Sequence, residues 1–268
     1  MSLLRVQFDH VKSVLQIRRH FENPWLLILF RLGLIKVPYF LHRINGGGHH
    51  YALLARPTTT SKADLFVLRE VLVDEAYSGV LPLLKNKNIR LLDVGANLGS
   101  FTIWMHRKVG VREAFCFEPE PDSFRLLNFN LAMNDCPTAK TLPSALGGEA
   151  RTIRILLKKS SPGGTSIYAN AQSPEATAVP VLALQGWMAG IQGDFDLLKM
   201  DCEGAEWEIL QKTDPRQFGR FQTVVAEVHG DPENKRQVSE FKDLIEKVGF
   251  RTVRWDNHPQ GLYIGARR

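Results

Sequence analysis

The stretch "DVGANLG", Asp93 to Gly99, packs a carboxylate, an amide and two glycines into one short run. Apolar residues lead straight into Asp93, so the chain is expected to leave a buried strand, turn at Gly95 and enter a helix near Leu98. Glycine-rich backbone ahead of a helix offers unpaired amides and the positive end of the helix dipole, which suits an anionic ligand group. An ionised Asp93 only accepts hydrogen bonds, so it can receive a ligand's ammonium or fix the amides of the turn itself. Glu118 ends the next strand nineteen residues past Gly99, about the spacing at which a carboxylate takes both hydroxyls of a ribose. Asn97 breaks a dinucleotide-type GxGxxG, which counts against a nicotinamide cofactor.

A second group of chemical residues lies in "KMDCEGAE", Lys199 to Glu206, and in "VVAEVH", which ends at His229. On a strand, Lys199, Asp201 and Glu203 fall on one side by period two, and an ammonium in a central strand needs an anion in reach. Asp201 is the nearest candidate and Glu227 the second. Asp201, Glu203 and His229 are the candidate catalytic groups, since each can take a proton from a bound hydroxyl. His229 either stays neutral near pH 7 and acts as the base, or is hydrogen-bonded to the following loop. Glu203, Glu227 and His229 also carry donor types that suit a divalent cation, although no metal is expected.

Taken together and in order, "DVGANLG", "FEPEP", "LLKMDCEGAEWEIL" and "VVAEVH" resemble the FkbM family of S-adenosylmethionine-dependent methyltransferases. The resemblance runs from about Arg90 to the end of the chain, and more weakly upstream into "LREVLVDEAY". It implies a Rossmann-like class I methyltransferase fold, an α/β architecture with seven mostly parallel strands, the last antiparallel, and helices on both faces. It also implies S-adenosyl-L-methionine as cofactor, with Asp93, Gly95, Asn97 and Gly99 at its methionine end and Glu118 on its ribose. Ser144 and Asp201 are counted with the cofactor-binding residues. Where family members often carry an acidic pair, "VLALQGWM" has Leu184 and Gln185, so no carboxylate role is assigned there.

The elements that must position these residues follow from periodicity. "IRLLDVG", "EAFCFEP" and "AKTLPSAL" read as strands separated by helical lengths, which implies parallel pairing through right-handed crossovers. The alternation resumes with "FDLLKMD", "AEWEILQK", "FQTVVAEVH" and "RQVSEFKDLIEKV". "RTVRW" and "GLYIGAR" are joined by a link too short for a crossover, so they pair antiparallel. Residues 147–193 interrupt the rhythm and are expected to form the acceptor pocket, with Thr165, Ser166 and Tyr168 in the "SPGGTSIY" loop as substrate contacts. Trp187 and Trp207 are core or sugar-stacking residues, with helical spacing favouring core.

Upstream, residues 1–85 are expected to form an accessory segment and 86–268 the catalytic domain, with the boundary at "KNKN". Asn23-Pro24 starts a helix from Trp25 to Ile35. "VPYFLHRI" and "YALLAR" form a hairpin around "NGGGHH", with His49 and His50 as exposed loop residues. A helix follows from Ser61, with Leu65, Leu68, Leu72 and Ala76 on one face and a capping box from Ser61 to Asp64. Tyr77, at its end, could close over the cofactor.

The chain has 268 residues, 44% hydrophobic, enough for a full core, and a net charge of +6 without a long basic run. No nucleic-acid partner is expected, and "TDPRQF" is no substitute for the (D/N)PP(Y/F) tetrapeptide of amino-directed nucleic-acid methyltransferases. Three cysteines without CxxC spacing fit free thiols and a cytoplasmic setting. The longest apolar run is about half of the roughly 20 residues that a spanning helix needs, which leaves peripheral membrane contact open. The expected activity is O-methylation of a hydroxyl on a small-molecule or glycan acceptor, a sugar or secondary metabolite. The other readings are another small-molecule or a nucleic-acid methyltransferase, a nicotinamide oxidoreductase, and a non-catalytic module that keeps the fold to bind a partner. Neither the oligomeric state nor the acceptor's identity follows from the sequence.

Overall fold

The computed structural model describes residues 20–22, 24–25, 29, 34–56, 63–85, 87–155, 176–229, 238–256 and 261–267. The first two strands, β1 (Phe40–Gly46) and β2 (His49–Ala55), pair as an antiparallel hairpin. Gly47 and Gly48 have φ of 53° and 79°, the doubly left-handed link that a two-residue hairpin needs. The turn is tighter than expected, so His49 and His50 belong to β2 rather than to a loop, and His50 Nδ1 meets Asn45 Oδ1 across the hairpin. Helix α1 (Ala63–Leu72) and a 3₁₀ segment (Ser78–Leu83) lead to the main sheet. Helix α1 ends before Ala76, and Asp64 binds Arg56; the capping box expected from Ser61 lies outside the described residues. Of the helix expected over Trp25–Ile35, Pro24, Trp25 and Leu29 are helical, and Leu34 and Ile35 are not.

The remaining elements, in order, are β3 (Ile89–Val94), α2 (Ser100–Lys108), β4 (Val111–Phe117), α3 (Pro121–Met133), β5 (Ala139–Leu142), β6 (Ala145–Gly147), β7 (Arg151–Ile155), β8 (Thr177–Ala183) and α4 (Leu184–Ala189). Then come β9 (Phe195–Met200), α5 (Ala205–Lys212), α6 (Pro215–Phe218), β10 (Phe221–Val228), α7 (Val238–Lys247), β11 (Phe250–Asp256) and β12 (Gly261–Arg267). The seven-stranded sheet has the order β11-β12-β10-β9-β3-β4-β5, and β12 alone runs antiparallel to its neighbours β10 and β11. This is the Rossmann-like arrangement expected from the alternating strands and helices. Strands β3 and β9 are buried on both faces, which is why they read as continuous apolar runs. Leu91 packs with α1, α2 and the hairpin, whereas Leu92 and Val94 pack with α4, α5 and α7.

"AKTLPSAL" is not one strand. Pro143 lacks an amide for the ladder, so β5 ends on the main sheet and β6 begins a second sheet of order β6-β8-β7. The interruption over 147–193 therefore contains the hairpin pair β7 and β8 and the short helix α4. Thr165, Ser166 and Tyr168 lie outside the described residues. Trp207 is fully buried against Phe241 and is core, whereas Trp187 is half-buried and packs edge-on to Phe115 and Phe117 at the core's margin. No helix among the described residues is long and apolar enough to cross a membrane.

Candidate active site

The parallel strands β3, β4, β9 and β10 end together, and a cavity of about 200 Å³ opens over their carboxyl edge. Two loops build its floor, β3 to α2 and β9 to α5. Gly95 has φ 80°, and a side chain there would collide with the Asp201 backbone carbonyl, so glycine lets the two loops touch. Gly99 (φ 83°) caps α2 without any side-chain cap. Asn97 and Glu203, one in each loop, hold left-handed φ of 49° and 54°, which is strained for residues other than glycine and characteristic of functional loops.

The expected cofactor residues divide into two sets. Gly95, Asn97, Glu118 and Asp201 line the cavity. Asp93, Gly99 and Ser144 do not. Asp93 is fully buried: Thr102 Oγ1 donates to it at 2.7 Å and Lys199 Nζ pairs with it at 3.1 Å, so it anchors the floor instead of facing a ligand. Asp93, not Asp201, is thus the first partner of Lys199, because the parallel register sets the two side by side. Asp201 follows at 3.6 Å, and Lys199 also donates to the Gly95 carbonyl at 2.6 Å. Burial opposes the Lys199 charge, but Asp93 and Asp201 outweigh it and raise the pKa, so the ammonium persists.

Glu118 accepts from Asn97 N at 2.9 Å and Glu120 N at 2.8 Å. Burial pushes its pKa up to about 7 against those two amides. Asn97 Oδ1 is buried and has no hydrogen-bond partner among the described residues. A nucleoside bearing an amino-acid tail fits this chemistry: Glu118 can take ribose hydroxyls, Asn97 Oδ1 an ammonium or amide hydrogen, and the open start of α2 a carboxylate.

The opposite wall is acidic. Asp201, Glu203 and Glu227 line the cavity beside His229, together with Glu70 from α1. His229 Nδ1 meets Glu206 Oε1 at 3.1 Å, and its Nε2 lies 3.6 Å from Glu203 and 3.9 Å from Glu227. Burial disfavours its charge, but the Glu206 hydrogen bond and the carboxylates of Glu206, Asp201 and Glu203 lift its pKa to about 10. A pKa lifted this far favours the imidazolium form of His229 near neutral pH over the neutral imidazole of a resting base.

Glu227 takes a hydrogen bond from Tyr77 Oη at 3.2 Å, and nearby Asp201, then burial, push its pKa up to about 8. Burial also raises the pKa of Glu203, with His229 working against it. One ligand atom from each of Asp201, Glu227 and His229 lies within 4.8 Å of the others, so these three are the residues that could hold a cation.

Glu206 was missed as a site residue. It is fully buried and accepts from Cys202 N and Gly204 N, both at 2.8 Å, so it shapes the loop and orients His229. Its signal was the acid closing "KMDCEGAE", beyond the reach of a strand's period two. Glu70 was also missed, because helical spacing on α1 reads as a solvated face until the helix is docked on the cavity.

Comparison with known proteins agrees with this geometry. Residues 93–252 match the model of the methyltransferase FkbM domain. The chain is 25% identical over 220 residues to Methyltransferase 1 of Beauveria bassiana, covering 75% of this chain and 86% of that protein. It is 27% identical over 221 residues to Methyltransferase sdnD of Sordaria araneosa, covering 70% and 83%. Among solved structures, the methyltransferase FkbM of Methylobacillus flagellatus aligns with a TM-score of 0.45 at 15% identity, over 66% of this chain and 43% of that one.

Proposed function

This chain belongs to the FkbM methyltransferase family and draws its methyl group from S-adenosylmethionine, and from that premise we propose that it O-methylates a hydroxyl of a sugar, glycan or other secondary metabolite. The observation that carries the proposal is the acidic wall around Glu227, with an ionisable group near neutrality beside the cofactor loop. Bound, the cofactor supplies a methyl already activated on a sulfonium. The protein's own work is to hold the acceptor in line with it and to exclude water.

In this reading Asn97, Gly95 and Glu118 seat the cofactor, and Glu227 takes the acceptor's proton. A base with a pKa near the working pH is the effective kind, and such a group gives typically 10²- to 10⁴-fold. Asp201 and Glu203 keep the cavity negative, which favours the sulfonium, and the imidazolium of His229, fixed by Glu206, balances them. Lys199, at the cavity lining but nearly buried and paired with Asp93 and Asp201, is a structural cation. A wall of carboxylates repels phosphates, so a nucleic-acid acceptor is disfavoured in spite of the net charge of +6. Three free cysteines support a reducing, cytoplasmic setting.

The test is a methyl-transfer assay on a panel of polyhydroxylated metabolites, glycosides and matched amines, read as a methylated product by mass spectrometry. Methylation of hydroxyls, lost in Glu227→Gln, supports the proposal. Transfer confined to amines or to RNA overturns it.

A further inference from the structure

The N-terminal hairpin and α1 lie outside the matched family segment, yet Arg56, at the end of the hairpin, ties both to the cofactor edge. Its side chain is only 12% exposed. The guanidinium donates through Nε to Asp64 Oδ2 at 3.0 Å and through Nη2 to Asp64 Oδ1 at 3.0 Å, and its own backbone amide reaches the same carboxylate at 2.8 Å. Asp64 stands at the start of α1 and is fully buried. The remaining donors cross to the other side of the cavity mouth: Nη1 to Glu120 Oε2 at 2.9 Å, and Nη2 to Ser123 Oγ at 3.0 Å.

Glu120 is more than a counter-ion. Its carboxylate caps α3 by accepting from Asp122 N at 2.8 Å and Ser123 N at 2.6 Å. Its own amide donates to Glu118 Oε1 at 2.8 Å. Of the two amides that hold Glu118, one thus belongs to a residue whose side chain Arg56 grips, and the other to Asn97. A planar fork that satisfies two carboxylates at once fixes orientation as well as charge, which a lysine cannot reproduce.

We infer that Arg56 is a positioning residue for the cofactor's ribose, clasping α1 to the loop that presents Glu118. The inference rests on the reading of Glu118 as the ribose acceptor. The clasp also ties the α1 wall, with Phe66 and Glu70 at the cavity, to the state of the cofactor edge.

The experiment measures, by isothermal titration on the full chain, the affinity for S-adenosylhomocysteine and for its 2′,3′-dideoxy analogue. In the wild type, removing the hydroxyls is expected to weaken binding by about 10-fold or more, as for a charge-assisted hydrogen bond. In Arg56→Met that penalty shrinks to within about 3-fold, because Glu118 is no longer aimed. Arg56→Lys keeps a charge but not the fork and falls between the two. If Arg56→Met does not fold, Ser123→Ala removes a single acceptor of the clasp, and the penalty should still fall measurably. A lowered melting temperature with the full penalty retained makes Arg56 a structural residue and overturns the inference. A wild type with no penalty overturns the role of Glu118 itself, and the inference with it.

Discussion

Glu227 and His229 lie two positions apart at one strand end, and their surroundings push both toward the protonated form, neutral for the acid and cationic for the imidazole. Asp201 and burial raise the Glu227 pKa to about 8, so the ionised base becomes more populated as pH rises through that value. The initial rate of methyl transfer at saturating substrates should climb with pH to a midpoint near 8, and the climb should vanish in Glu227→Gln. Addition of EDTA should leave the rate unchanged; loss of activity restored by manganese would put a cation, not a proton, at Glu227. For His229 the folded pKa of about 10 exceeds the ordinary 6.5. Its contribution to stability is therefore fully present below about 6.5 and is lost as pH rises through about 10. Thermal melts between pH 7 and pH 10.5 should show a decline that is smaller in His229→Gln, and equal declines would mean that Glu206 does not hold an imidazolium.

The strands were legible as elements because β3, β4, β9 and β10 are short apolar runs that end in an acid, a proline or a histidine. Their pairing was not. Lys199 was expected to lean on Asp201 along its own chain, but the register of β9 against β3 places Asp93 beside it. The break at Pro143 was visible as a residue, but not as a change of sheet, because nothing local says which edge a strand joins. The attachment of the hairpin was also invisible.

On α3, Asn130 donates to the Leu54 and Leu98 carbonyls, both at 3.0 Å, and accepts from Leu54 N at 2.6 Å. One turn on, Asn134 makes the same two-way exchange with Ala52. Two amides thus extend the edge of β2 as a third strand would. Asn130→Leu leaves backbone groups of Leu54 and Leu98 unpaired, at about 1 to 3 kcal/mol for each buried one. Chemical denaturation should show a loss of about 2 to 4 kcal/mol on that basis. A loss below about 0.5 kcal/mol would mean that water replaces the asparagine without penalty.

Composition pointed to a single sizeable core and to a surface that is basic on average, and both descriptions miss how the whole molecule divides its labour. The charge of +6 belongs to the chain, whereas the cavity is lined by Glu70, Asp201, Glu203 and Glu227. The expected boundary near residue 85 falls between the hairpin and α1 on one side and the main sheet on the other. Ile44, Leu53, Leu68 and Leu72 share one buried cluster with Leu91, Trp104 and Leu127. We therefore propose that the hairpin and α1 are one wall of the catalytic domain. A fragment of residues 86–268 should expose that face and fail to give a cooperative melt; a soluble fragment that melts like the full chain would restore the two-part description.

Methyl transfer by this chain depends on the pocket between Gly95, Asn97 and Glu118. Titration of S-adenosylmethionine into the wild type and Glu118→Gln tests it most directly. One site per chain is predicted, weakened in the variant by roughly 10- to 100-fold for the loss of a charged acceptor, with no binding of NAD. Equal affinity in the two proteins, or saturable binding of NAD in place of S-adenosylmethionine, would contradict it.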